Sequence, residues 1–312
     1  MKLFTQIEKI DKSVSNIAIA LGTFDGVHVG HQRIIGKTVA YAKKQQGTSA
    51  VLTFSNHPMS IIDPRHNPLQ ITSMQQKIDL IAEIGVDLLF FVPFTAELLK
   101  FQPRQFIQFL MQHIRPSQVV VGPNFSFGYQ GKGSPDMLRV FGQEFGFAVD
   151  VHEAVFLEDR MVSSTAIRQL ILEGNVELAR KLLGRPLRLS GPVVSGQQRG
   201  RLLGFPTANL SLPERTAIPR DGVYAVRANI GADSYQGVAN IGTNPTFSGQ
   251  CRRLETHIFD FARDIYGEMI SVDFLTRIRG EVTFANADQL QAQISSDIVQ
   301  ARRYFDHVDQ TG

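Results

Sequence analysis

From Ile17 to about Gly184 short apolar runs bounded by turn residues alternate with longer segments of helical spacing, the pattern of βαβ units and a parallel sheet. The runs Ile17–Leu21, Ala50–Phe54, Leu88–Val92, Val119–Val121 and Phe147–Val151 read as strands. Between them, Ile34, Ile35, Val39 and Ala42 mark a helix that begins around His31 and that Gly47 ends. A second helix starts at a Ser73 cap and stops at Gly85, a third starts at Pro103, and a helical pair follows Ser163 and Asn175. From Leu187 to Phe284 the texture changes to β-rich runs separated by Gly, Pro and Asn turns, among them GVYAVRANI, SYQGVANIG, LETHIFDF and MISVDFL. This predicts an all-β domain in the form of a small closed barrel. An amphipathic helix, Asp288 to Phe305, should pack on it through Leu290, Ile294, Ile298 and Tyr304, and GRPLRLSG, Gly184 to Gly191, reads as the linker.

Composition supports two globular domains. The 312 residues are 43% hydrophobic and 20% charged, with 26 Gly and 14 Pro, and suit two units of about 100–200 residues. The single cysteine, Cys251, has no internal disulfide partner, and the N-terminal segment lacks an apolar signal-peptide core. No apolar stretch approaches the ~20 residues of a membrane helix. These features predict a cytoplasmic protein without a membrane span. The net charge of +3 is interspersed, which favours small anionic ligands over nucleic acid.

The first chemical signal is IAIALGTFDGVHVGHQRII, a strand feeding a turn with Gly22, Gly26 and Gly30 and then a helix. Such a turn places backbone N–H groups and the positive helix end at the carboxyl edge of a sheet, where a phosphate belongs. It is neither a dinucleotide fingerprint nor a P-loop, and the P-loop-like Gly36-Lys37-Thr38 falls inside the helix. His28 and His31 can donate to phosphate oxygens as charge develops at phosphorus. A zinc site is the rival, although no third ligand stands out beyond His57. Ser163, Ser164 and Thr165 precede a helix carrying Arg168, an arrangement that can cap the helix or grip pyrophosphate.

GTFDGVHVGH, together with FSNHP, VVVGPNFSFG and VSSTAIRQLILEGNVELARKLLGRP, resembles the adenylyltransferase module of bacterial bifunctional riboflavin kinase/FAD synthetase. The resemblance implies that ATP and FMN bind together, that an FMN phosphate oxygen attacks the α-phosphorus, and that pyrophosphate leaves. It implies that Gly22, Phe24 and Gly30 join Ser163, Ser164, Thr165 and Arg168 around ATP phosphates, with His28 and His31 catalytic and His57 and Asn124 on the flavin side. The sequence departs from the family at Asn56, where Pro is common, at Asn124, where Asp is common, and at Gly131, where Arg is common.

In the β-rich half, GRLLGFPTANLSLP places Thr207 and Asn209 on one face of an extended segment, with Gly200 and Gly204 upstream to allow close backbone approach to a phosphate. A hydroxyl and an amide oxygen are hard neutral ligands suited to Mg²⁺, though the same tripeptide in a turn can be structural. GFPTAN resembles the hallmark of the riboflavin kinase family, and LETHIFDF followed by DIYG resembles its later signature, which implies Glu255 as the base near the riboflavin 5′-hydroxyl. His257 and Cys251 read as structural or incidental.

The fold expected is therefore α/β plus all-β. A Rossmann-like parallel-sheet nucleotidyltransferase domain over 1–185 precedes a small antiparallel β-barrel with a C-terminal helix over 186–312. The resemblance implies a bifunctional enzyme that uses riboflavin, FMN, ATP and Mg²⁺. Two rivals are an adenylyltransferase of another cofactor precursor with a regulatory barrel, and a non-catalytic flavin sensor.

Overall fold

The computed structural model describes residues 1–7, 10–11, 14–196, 200, 203–246 and 249–311, with the backbone alone at 243–246, 249–251 and 308–311. Arg201 and Leu202 of GRLLGFPTANLSLP and the side chain of Cys251 lie outside the described residues. The chain forms two compact units, Met1–Ser164 and Thr165–Gly312.

The first unit is built on six strands, β1 (Lys2–Phe4), β2 (Ile17–Leu21), β3 (Thr48–Phe54), β4 (Leu88–Val92), β5 (Pro116–Val121) and β6 (Ala148–Val151), in the order β1-β4-β3-β2-β5-β6. All five neighbouring pairs are parallel. Its helices are α1 (Val29–Lys44), α2 (Met59–Ile62), α3 (Met74–Glu83), α4 (Ala96–Lys100), α5 (Pro103–His113) and α6 (Pro135–Phe145). Because both faces of a parallel sheet are covered, its strands are apolar on both sides, and every residue of β2 is buried. Ile19, Leu21, Leu52 and Phe90 pack with Ile107, Leu110 and Leu138 of α5 and α6. Ala20, Val51 and Leu89 face the other way, onto Ile34, Ile35 and Val39 of α1 and Ile81 of α3. Strand order reverses at β2, whose neighbours are β3 and β5, so the turn after β2 opens at the crevice where such sheets bind ligands. A short antiparallel hairpin of β7 (Phe156–Leu157) and β8 (Arg160–Met161) precedes α7 (Ser164–Glu173) and α8 (Val176–Leu183).

The second unit is a closed antiparallel barrel of β9 (Leu187–Val194), β10 (Ala208–Leu210), β11 (Gly222–Ile230), β12 (Asp233–Thr246), β13 (Gly249–Ile258) and β14 (Met269–Arg279), in the order β10-β13-β12-β11-β14-β9. The expected linker Gly184–Gly191 is corrected here, since Leu187 onward is already strand and only 184–186 connects α8 to β9. Leu187, Leu189, Gly191 and Val193 are buried while the residues between them are more exposed, so Gly191 is an inward strand position and not a turn. Helix α8 packs on the barrel, where the Glu177 carboxylate accepts from the Thr276 hydroxyl and from Arg277 N–H.

Helix α9 (Ala287–Thr311) covers one outer face of the barrel, with Ala301 and Phe305 against Val223, Ala225, Val238 and Leu275. It is also pinned electrostatically. Arg279 Nε and Nη2 reach Asp297 Oδ1 and Oδ2 at 2.9 and 2.8 Å, and the Asp297 side chain is only 3% exposed. Removing one partner of an enclosed pair leaves the other charge uncompensated, a loss of about 3–5 kcal/mol. Asp297→Ala is therefore expected to lower the unfolding free energy of the barrel unit by an amount in that range, read from a urea titration followed by far-UV circular dichroism.

Candidate active sites

The turn from β2 to α1 is conformationally costly. Phe24 and Val27 hold φ of 47° and 37°, and a β-branched residue in the left-handed region is a genuine outlier. Phe24 is buried, with its ring edge-on to His31 at 5.1 Å between centroids. Helix α1 starts at Val29, earlier than expected, because His28 is its N-cap and its Nδ1 accepts from the His31 N–H at 3.3 Å. That bond places the proton of a neutral His28 ring on Nε2. The rings of His28 and His31 stack at 3.5 Å. A Cβ at Gly30 would come within 3.2 Å of the His28 ring, so a side chain there would press on that ring. With no acidic residue in the first turn of α1, its N-terminal field is left to an incoming anion.

The turn is anchored from other segments. The Asp25 carboxylate, buried, accepts from Ile71 N–H at 3.1 Å, and Thr72 Oγ1 accepts from Gly26 N–H at 3.2 Å. Ser164, the first residue of α7, donates its hydroxyl to Asp25 O at 2.9 Å. Ser163 and Ser164 are thus brought to the turn that carries Gly22, Phe24, His28 and His31, while Thr165 and Arg168 follow on α7 in the second unit. Gly36-Lys37-Thr38 is helical, with Lys37 paired to Asp150 at 2.6 Å and Thr38 Oγ1 donating to Ile34 O at 2.9 Å. Bonding to Asp150 holds the Lys37 ammonium above its usual range.

His57 lies in the loop after β3 and accepts at Nδ1 from Met59 N–H at 3.2 Å. It lines a small cavity with Thr23, Asp25 and Thr72. The Asn56 amide accepts from Phe94 N–H at 2.7 Å and donates to Phe94 O at 3.1 Å, tying the loops after β3 and β4 together. Asn124 is exposed in the loop after β5, and Gly131 takes φ 64°. Among the described residues no three His, Cys, Asp or Glu side chains gather as a metal-holding group.

The barrel carries a cavity of about 430 Å³ lined by Gly196, Thr207, Asn209, Thr256 and the segment Phe261–Tyr266. Gly200 closes a turn by accepting from Phe205 N–H at 2.8 Å, and a Cβ on it would fall 3.5 Å from Thr207 Oγ1. Gly204 is exposed in the same turn, with φ 87°. Asn209 is buried and its Oδ1 has no hydrogen-bond partner among the described residues. A Cβ at Gly196 would lie 2.5 Å from the Asn209 amide, so a glycine lets the backbone close over that side chain. Glu255 stands directly opposite Asn209 in the β10–β13 ladder and opposite Asn240 in the β12–β13 ladder. Cross-strand partners share a face, so this half-buried carboxylate has an amide on either side. His257 joins β13 to the GFPTAN segment through Nδ1 and Pro206 O at 2.9 Å. The buried Thr256 hydroxyl and the Asp25 anchor were not anticipated from sequence, because each depends on strand pairing or on distant segments.

Known proteins match both halves of the chain. Residues 10–166 match the family model described as FAD synthetase, and residues 183–305 the one described as riboflavin kinase. The chain is 34% identical to the bifunctional riboflavin kinase/FMN adenylyltransferase of Haemophilus influenzae, over 98% of this chain and 99% of that one. It is 36% identical to the proteins of that name from Bacillus subtilis, over 96% of each chain, and from Escherichia coli K12, over 98% of each. A crystal structure titled as a macrolide-efflux protein from Streptococcus pneumoniae superposes with a TM-score of 0.88 at 35% identity, covering 96% of this chain and 98% of that one. Among the described residues of this chain no helix is long and apolar enough to cross a membrane.

Proposed function

The chain belongs to the bifunctional riboflavin kinase/FMN adenylyltransferase family, and from that premise we propose that residues 1–185 adenylylate FMN to FAD while residues 186–312 phosphorylate riboflavin to FMN. The carrying observation is that two separate groups of polar side chains stand at a helix N-terminus and at a barrel cavity. The stacked His28 and His31 lie at the N-terminus of α1, and Thr207, Asn209 and Glu255 lie at the barrel cavity and its adjoining strand face. The riboflavin kinase match over 183–305 favours a catalytic barrel over a regulatory one or a sensor.

In adenylyl transfer, an FMN phosphate oxygen forms a bond to the α-phosphorus of ATP as the bond to the pyrophosphate oxygen breaks. His28 Nε2–H and the His31 ring donate to the transferring phosphoryl oxygens, and Gly22, Phe24 and Gly30 shape the backbone cradle around them. Pyrophosphate is held by the start of α7 through Ser163, Thr165 and the planar fork of Arg168. Ser164 has its hydroxyl committed to Asp25 O and contributes by fixing the helix start. His57 and Asn124 lie toward the flavin.

In the kinase reaction, Glu255 accepts the proton of the riboflavin 5′-hydroxyl while its oxygen attacks the γ-phosphorus and ADP leaves. Gly200 and Gly204 give the nucleotide phosphates close access to backbone. The residues suit Mg²⁺: the unpartnered Asn209 Oδ1 and the Thr207 hydroxyl are neutral oxygens, which leave phosphate and water as the remaining ligands. The chemistry Mg²⁺ supplies when bound there is neutralisation of charge on the transferred phosphoryl. Thr207→Ala is accordingly expected to raise the Mg²⁺ concentration needed for half-maximal riboflavin phosphorylation and to recover much of its rate at high Mg²⁺. A loss that no Mg²⁺ concentration offsets would remove Thr207 from the metal site.

A further inference from the structure

Lys77 has no part in the chemistry above, yet its charged end is enclosed at the ligand edge of the parallel sheet. It lies in the first turn of α3, its stem half-buried. Burial pushes its ammonium below the ordinary lysine range, and the Asp25 carboxylate pulls it back up. Nζ donates to Thr23 O at 3.0 Å and to Phe54 O at 3.3 Å, and it sits 5.6 Å from the centroid of the Phe91 ring. The cavity beside it measures only about 20 Å³, room for one water and not for a substrate group.

The two carbonyls belong to neighbouring outlets of the sheet. Thr23 sits in the turn between β2 and α1, and Phe54 is the last residue of β3. An enclosed ammonium must spend its donors on nearby acceptors, and here those acceptors are the two loops themselves. Thr23 O also accepts from Thr53 Oγ1 at 2.9 Å, while Asp25 and Gly26 are held by Ile71 and Thr72. The turn so gripped contains left-handed Phe24 and Val27, conformations that persist only where their surroundings hold them. Without the grip it would relax, and His28 and His31 follow it immediately in the chain.

We propose that Lys77 is a positioning residue for adenylyl transfer, fixing through the Thr23 and Phe54 carbonyls the turn that presents His28 and His31. The inference rests on the reading of that turn as the adenylyl-transfer site. Because the ammonium is spent on protein carbonyls, its removal acts on geometry and not on substrate contact. A misplacement of about 1 Å can cost roughly 10²-fold in rate.

The test uses the full chain with Lys77→Met, Lys77→Arg and His31→Ala in parallel. Lys77→Met is expected to lower kcat of FMN adenylylation roughly 10–10²-fold with the KM for ATP nearly unchanged and riboflavin phosphorylation intact. Lys77→Arg, which keeps donors for both carbonyls, is expected to recover most of that kcat. Wild-type kcat in Lys77→Met overturns the proposal, and so does equal loss in the Met and Arg variants, which would assign the effect to shape. Should Lys77→Met lose its cooperative melt, Lys77→Gln replaces it, being polar but too short to reach both carbonyls, and wild-type kcat there overturns the proposal equally. If His31→Ala leaves adenylylation intact, the reading of the turn itself fails. Loss in His31→Ala with full activity in Lys77→Met defeats the Lys77 proposal alone.

Discussion

Glu255→Gln is expected to lower riboflavin phosphorylation about 10²–10⁴-fold while FMN adenylylation proceeds at its normal rate. The amide keeps the shape of the carboxylate and its place opposite Asn209 and Asn240, but it cannot take the hydroxyl proton. The loss should therefore fall on kcat and leave ATP affinity nearly unchanged. Raising Mg²⁺ should not restore the rate, in contrast to Thr207→Ala, because the missing function is proton acceptance. Near-normal kinase turnover in this variant would reduce Glu255 to a solvated or packed strand position.

His31→Ala is expected to lower FAD formation from supplied FMN by roughly 10²–10³-fold and to leave FMN formation from riboflavin unchanged. The substitution removes the donor proposed for the transferring phosphoryl group and also the ring stacked on His28 at 3.5 Å. Selectivity is the informative feature, measured as separate initial rates of the two reactions in one preparation. Equal loss of both activities would point to misfolding or a shared site. Loss accompanied by release of bound zinc would revive metal ligation by the His28–His31 pair.

Elements buried on both faces were legible in the sequence, because burial leaves a continuous apolar run. Ile17–Leu21 and Leu88–Val92 are strands with the bounds expected. The Ser73 cap was legible for a similar reason, since Ser73 and Gln76 form a capping box at the start of α3. Strand β9 was not, because Gly191 and Pro192 look like turn residues until the inward alternation of Leu187, Leu189 and Val193 is set beside strands β10 and β14. The cap role of His28 was hidden because imidazole is an uncommon N-cap group.

The candidate sites divide along the same line. The groups of GTFDGVHVGH and GFPTAN are close in sequence, so spacing alone groups them. The apposition of Asn209 and Glu255 depends on the register between β10 and β13, which no local pattern specifies. The anchors of the first turn are more distant still, with Ile71 lying 46 residues from Asp25 and Lys77 lying 54 from Thr23. The edge of the compact units, Ser164/Thr165, falls before the sequence-derived division at 185/186, because α8 docks on the barrel through Glu177.

Two chemically separate sites acting in series give each variant its own product pattern when reactions supplied with riboflavin, ATP and Mg²⁺ are separated by chromatography. His31→Ala should accumulate FMN with little FAD. Glu255→Gln should make neither from riboflavin, yet convert supplied FMN to FAD at the wild-type rate. FAD formed from riboflavin by Glu255→Gln at the wild-type rate, or failure of both variants in both reactions, would contradict the account.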